Sequence, residues 1–214
     1  KKHFGDIKAT WGQKHKFLGM EIVFWDDKKV EIRMKEKWEE SIEAFGEKIT
    51  GTVLSLARAD FFTVNEDAKK LSDEKKSIFH KVTAKLLYLC KGVKPDIETL
   101  ISFLGIRVTC SETDDWEKLR HGLTFIQNTI DDFMIIEANN FSELFTWFNT
   151  AYAVHANKHG HMGGAISMGY GILHGKGAKQ KLNVKSFTES ELVRVSDTSH
   201  ITYGLYLLEN RDMK

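Results

Sequence analysis

Residues 144–175 read LFTWFNTAYAVHANKHGHMGGAISMGYGILHG, and this stretch decides the fold class. Its first part, Leu144 to Val154, is rich in aromatic residues. Met162 to Leu173 follows, with glycines at 163, 164, 169 and 171 and a further one at 175. Short strands joined by glycine turns fit this pattern best. A last helix is expected from about Thr188 to Leu208.

The chain changes character just upstream. Phe133 to Glu137 is β-like, and the residues before it are helical, so a boundary is expected near 130–140, with one unit at 1–135 and a second at 136–214. Three helices carry clear signals. Ser72 caps the first, with Asp73 and Glu74 at the positive end of its dipole, and its core face is Ile78, Val82, Leu86 and Leu89 or Cys90. Pro95 starts the second, ahead of Ile97, Leu100, Ile101, Leu104 and Val108. Ser111-x-x-Asp114 resembles a capping box ahead of Trp116, Leu119, Leu123 and Ile126. These stripes read as core packing.

Residues 49–70 are weakly patterned and expected as loop. Met34 to Lys48 is expected as a helix with Trp38, Ile42 and Phe45 on one side. The first 34 residues look like strands. Lys16 to Phe24 forms one, Asp26 to Lys29 a turn, and Val30, Ile32 and Met34 alternate with Glu31 and Arg33 in a second. No internal repeat is visible. The fold class is therefore α/β in the broad sense, more narrowly α+β.

Composition narrows the function classes. Of 214 residues, 42% are hydrophobic and 29% charged, ordinary globular values that exclude a disordered or collagenous chain. The longest apolar runs fall far short of the ~20 residues of a membrane span. With 31 basic and 30 acidic residues, the net charge of +1 gives no general nucleic-acid signal. Two cysteines make no disulfide framework and suggest a reducing compartment, so an intracellular location, cytoplasmic or nuclear, is expected. A single proline is unusual, and a chain starting at Lys1 reads as a piece of something longer.

Charge is uneven along the chain. From Leu144 to Thr188 there is no Asp or Glu, while Lys158, Lys176, Lys179, Lys181 and Lys185 give the segment +5. This is either a phosphate footprint or a solvated β-edge defended by lysines.

Several motifs fail on spacing. GYGILHGKG lacks the glycine at 170 and the Ser or Thr at 177 of a phosphate loop, and the glycine at 174 of a dinucleotide fingerprint. Its glycines are better read as serving tight β-turns. His155, His159 and His161 have no cysteine or acid nearby, and zinc is not indicated. No nucleophile motif is present, and Cys90 reads as a small core residue. Glu191 sits in a possible capping box, Thr188-x-x-Glu191, with Ser186-x-x-Glu189 as a second box in an earlier register.

Six ordered pieces bear a family resemblance. FLGMEI (17–22) resembles the "YLGM" hairpin that follows the polymerase catalytic strands in copia-type retrotransposon polyproteins. IFHKVTAKLLYLCKGVKPDI (78–97) resembles their "FH…AKLLYL…R-x-RPDI" helix pair, which FLGIRV (103–108) and DDWEKLRHGLTFIQNT (114–129) continue. WFNTAYAVHANKHGHMGG (147–164) resembles "W-x-DASYAVH-x-D-x-RSHTGG", and KQKLNVKSFTESEL (179–192) resembles "KQKLNTKSSTEAEL".

The resemblance implies a β-hairpin and a helical reverse-transcriptase thumb or connection region. A truncated ribonuclease H-like mixed sheet with a flanking helix would follow. In that family Mg²⁺ ions held by acidic side chains cut the RNA of an RNA–DNA hybrid. Two hard cations close together need several anionic oxygens. The first acid's position matches Asn149, a neutral amide. The second matches Glu191, the one metal ligand retained. The third is expected beyond the region reading LLENRDMK (207–214). Catalytic remnants are thus Asn149 and Glu191, and a bound metal is not expected.

Lys176, Lys179, Lys181 and Lys185 would contact nucleic acid. The implied protein is a degenerate reverse transcriptase and ribonuclease H fragment without activity. Its alternatives are a hybrid-binding module, or a ribonuclease H active only within a longer parent polyprotein. Marginal stability is expected for residues 140–214 alone, because a truncated sheet leaves an unpaired edge.

Overall fold

The computed structural model describes residues 9–65, 67–140 and 143–209, with side chains described through Asp197 and at Ser199. The architecture is α+β, with two antiparallel sheets around a helical core. Among the described residues no helix is long and apolar enough to cross a membrane. The expected strands before residue 9 lie outside the described residues.

The chain opens with β1 (Lys14–Phe17), β2 (Met20–Phe24) and β3 (Val30–Arg33), an antiparallel meander. The single strand expected over Lys16 to Phe24 is divided. Leu18 (φ 50°) and Gly19 (φ 81°) both adopt positive φ, the two-residue turn that matches strand twist. Leucine pays a steric penalty there, and Tyr88 Oη donates to the Leu18 carbonyl at 2.6 Å, fixing the turn.

α1 (Lys35–Glu43) buries Trp38 and is followed by the buried Phe45. It stops short of Lys48, and Gly46 at φ 74° carries the chain out of helical geometry. Loops then lead to α2 (Asp73–Gly92), whose Ser72 cap accepts from Lys75 N–H. Its buried stripe includes Phe79, Val82, Leu86, Leu89 and Cys90, so Phe79 takes the place expected for Ile78, which is only half-buried.

A 3₁₀ turn at Pro95–Ile97 leads into α3 (Glu98–Arg107). α4 (Thr113–Asn128) is capped by Glu112 and Asp115, one residue later than expected. Trp116, Leu119, Leu123 and Ile126 are all buried, and Trp116 stacks on Phe45 with ring centroids 4.5 Å apart. α1–α4 thus share one apolar core.

β4 (Met134–Ala138) pairs with β3, so the 135/136 boundary falls inside a strand. β5 (Phe145–Ala151), β6 (His161–Ser167) and β8 (His174–Lys179) form the second sheet, and α5 (Phe187–Glu209) covers it. β7 (Gly169–Tyr170) leaves that unit to pair with β4, giving the order β1-β2-β3-β4-β7 in the first sheet. The two units are interlocked by this exchange. The second sheet, expected to be mixed, is antiparallel throughout its strands.

Candidate functional site

The register of the second sheet fixes what faces what. Asn149 lies opposite Gly163, which lies opposite Gly177. Trp147, Ala165 and Gly175 form the next row on the same face, because side chains alternate along each strand. α3 packs on this face. A Cβ on Gly175 or Gly177 would press on Glu98, and one on Gly177 would also meet Ser102. The glycines expected in turns at 175 and 177 are therefore strand residues whose missing side chains admit a helix.

A groove of about 260 Å³ opens between α3 and this face, lined by Pro95, Glu98, Thr99, Trp147, Asn149 and Gly177 among others. Asn149 is exposed here. Glu98 is buried and committed: its Oε1 accepts from Lys91 Nζ and, at 2.5 Å, from Gly177 N–H. Lys91 Nζ also donates to the Gly175 carbonyl at 3.1 Å.

α5 packs on the opposite face. Arg194 is fully buried over Gly164, donating from Nε to the Gly163 carbonyl and from Nη2 to the Lys176 carbonyl, each at 3.2 Å. Burial lowers the Arg194 pKa. Gln180 and Ser190 lock the start of α5: Gln180 Nε2 donates to the Ser190 carbonyl and Ser190 Oγ to Gln180 Oε1, both at 2.8 Å.

The helix cap uses Ser186, whose Oγ accepts from Glu189 N–H at 3.2 Å, while the Glu189 carboxylate accepts from Lys185 N–H at 2.7 Å. Of the two capping registers, the Ser186 one is realised. Glu191 has no capping duty and is exposed.

Asn149 and Glu191 are not brought together. Asn149 belongs to the α3 face, whereas α5, which carries Glu191, covers the other. Neither side chain makes a hydrogen bond or ion pair among the described residues. The donor set does not fit a pair of Mg²⁺ ions. An amide supplies one uncharged oxygen and Glu191 supplies the single carboxylate. Among the described residues, no group of three His, Cys, Asp or Glu side chains converges. Residues 210–214 of the LLENRDMK segment lie outside the described residues.

The lysines divide as well. Lys176 is opposite Gly164, on the α5 face, and Lys179 is opposite His161, on the α3 face. Lys181 and Lys185 are exposed in the connection to α5, and none of the four takes part in a salt bridge among the described residues.

Sequence reading missed a buried polar chain beside this site. His155 Nε2 lies 3.1 Å from His161 Nδ1, and His161 Nε2 lies 3.0 Å from Ser102 Oγ. Ser102 donates its hydroxyl proton to the Thr99 carbonyl at 3.0 Å. That assigns the tautomers: His161 donates from Nε2 and accepts at Nδ1 from His155. Phe62 and Phe103 pack around the imidazoles. Burial pushes both histidines down to about 4, helped at His155 by Lys179 and at His161 by His155. Cys90 is buried and its thiol pushed up to about 12 by burial, so it is inert, and Cys110 is also unbridged.

No protein-family model, no curated protein and no solved structure matches this chain.

Proposed function

We propose that the chain is a degenerate retrotransposon-derived piece, the end of a reverse transcriptase joined to a ribonuclease H-like unit, without hydrolytic activity of its own. The observation that carries this reading is internal to the chain. The position matching the first metal-binding acid is Asn149, a neutral side chain on β5. Its one acidic counterpart, Glu191, is on a helix packed against the other face. In-line phosphodiester hydrolysis by two metals needs anionic oxygens converging on both ions. What supports the family reading is the order of the six matching stretches along the chain.

The test is direct. Purified chain with Mg²⁺ or Mn²⁺ is incubated with an end-labelled RNA–DNA hybrid. Intact hybrid is expected. Metal-dependent cleavage abolished by Glu191→Ala would overturn the proposal.

A second reading is favoured by one observation. Lys181 and Lys185 are exposed, unpaired among the described residues, and lie in a segment without acids. They would contact backbone phosphates without sequence preference. Binding to a hybrid would then weaken steeply with salt, and replacing each lysine by alanine would lower the log–log salt slope by roughly one. No binding at about 50 mM salt, or binding insensitive to salt, would remove this reading.

A further inference from the structure

Four edges bound the two sheets: β1 and β7 end the first, β5 and β8 the second. An edge strand presents a row of unpaired N–H and C=O groups, which proteins blunt with lysines, short length or cover. β1 carries Lys14 and Lys16. β7 is two residues long. β8 carries Lys176 and Lys179 and is covered by α3.

α5 packs on one face of β5, but among the described residues no side chain takes up its edge groups as Glu98 and Lys91 do on β8. β5 runs for seven residues, Phe145–Ala151, with no charge and no proline. Among the described residues its backbone pairs with β6 alone. Trp147 is 61% exposed, and Phe145 and Phe148 are exposed with it.

We propose that β5 is the seam of a homodimer, in which a second copy of the chain adds its own β5 antiparallel to make one six-stranded sheet. The strand is suited to pairing with itself. A two-fold axis at Phe148 sets Phe148 against its own copy, Trp147 against Asn149, Thr146 against Thr150, and Phe145 against Ala151. No like charges meet, and aromatic and Thr–Thr pairs are among those that stabilise antiparallel ladders.

The area is adequate. The exposed parts of Phe145, Trp147, Phe148, Tyr152, Leu192 and Val195 amount to about 500 Å² per copy at the usual sizes of such side chains. The strand backbone brings this close to the ~800 Å² per partner of a standard interface. The assembly closes at two copies, because the remaining edge of the sheet, β8, is guarded by lysines and α3. The inference uses the edge and its side chains, and its readout, the oligomeric state, is separate from the cleavage test of the retrotransposon reading.

Sedimentation of the full chain over about 5–100 µM tests it. A monomer–dimer equilibrium with no larger species is expected. Trp147→Lys, at an exposed position, is expected to give a monomer with an unchanged far-ultraviolet circular dichroism spectrum.

The register is tested separately. In a Cys110→Ser background, Phe148→Cys is expected to oxidise to a covalent dimer, while the background alone does not. A monomer throughout the range, an open-ended series, a dimer that survives Trp147→Lys, or Phe148→Cys that fails to cross-link would each overturn the proposal.

Discussion

Glu98, the first residue of α3, accepts the backbone N–H of Gly177 on β8 at 2.5 Å. The same oxygen takes the ammonium of Lys91, which reaches on to the Gly175 carbonyl. One carboxylate therefore ties the helical core to the second sheet. Glu98→Ala leaves the Gly177 N–H unpaired under a helix, a loss of about 1–3 kcal/mol. Lys91 is 41% exposed in its side chain and can turn to water, so its own penalty is small. Urea denaturation of Glu98→Ala is expected to show a loss of about 2 kcal/mol. A Lys91→Met partner in a double-mutant cycle is expected to show coupling above about 0.5 kcal/mol.

The neighbouring glycines of β6 are predicted to differ. A Cβ at Gly163 meets nothing within 4 Å, whereas one at Gly164 runs into the Arg194 guanidinium. Arg194 is buried and bonded to two strand carbonyls, so it has little room to yield. Gly164→Ala is expected to cost about 1–3 kcal/mol as overpacking. Gly163→Ala is expected to stay within about 0.5 kcal/mol. Paired thermal melts read both.

The buried histidines set a pH dependence. His155 and His161 titrate near 4 in the folded chain against the ordinary 6.5. The unfolded chain therefore binds more protons between those values, and stability rises with pH. Their contribution is complete above about 6.5 and is lost as pH falls towards 4. Protonating His161 also sets two N–H groups against each other at the 3.1 Å contact with His155. Each histidine contributes at most about 3 kcal/mol. Unfolding free energies measured between pH 7 and 5, where carboxylates contribute little, are expected to fall. The double variant His155→Gln, His161→Gln is expected to flatten that slope. A wild-type slope equal to the variant's would refute the assignment.

Much of the helical half was legible in the sequence, because α2, α3 and α4 each bury a regular apolar stripe beside a recognisable cap or proline. Trp116, Leu119, Leu123 and Ile126 are core residues on both grounds. What was hidden has physical reasons. The Leu18-Gly19 turn puts a leucine at positive φ, which residue preference argues against. The capping register at α5 depended on whether Ser186 or Thr188 would cap, and both boxes fit the sequence.

The Glu98–Gly177 link and the His155–His161–Ser102 chain join residues 79 and 59 positions apart at their widest, with no local signal. The glycines at 175 and 177 read as turn residues because their reason, a helix close above the strand, is tertiary. Asn149 and Glu191 lie on β5 and α5, and their placement towards different faces depends on sheet register, which has no local signal.

The most direct test of the central claim is manganese binding. The chain is titrated with Mn²⁺ and free ion is followed by electron paramagnetic resonance. A neutral residue at 149 and one lone carboxylate at 191 predict no binding tighter than about 1 mM, and no change in Glu191→Gln. Two ions held at micromolar concentration, and lost in both Asn149→Leu and Glu191→Gln, would contradict it.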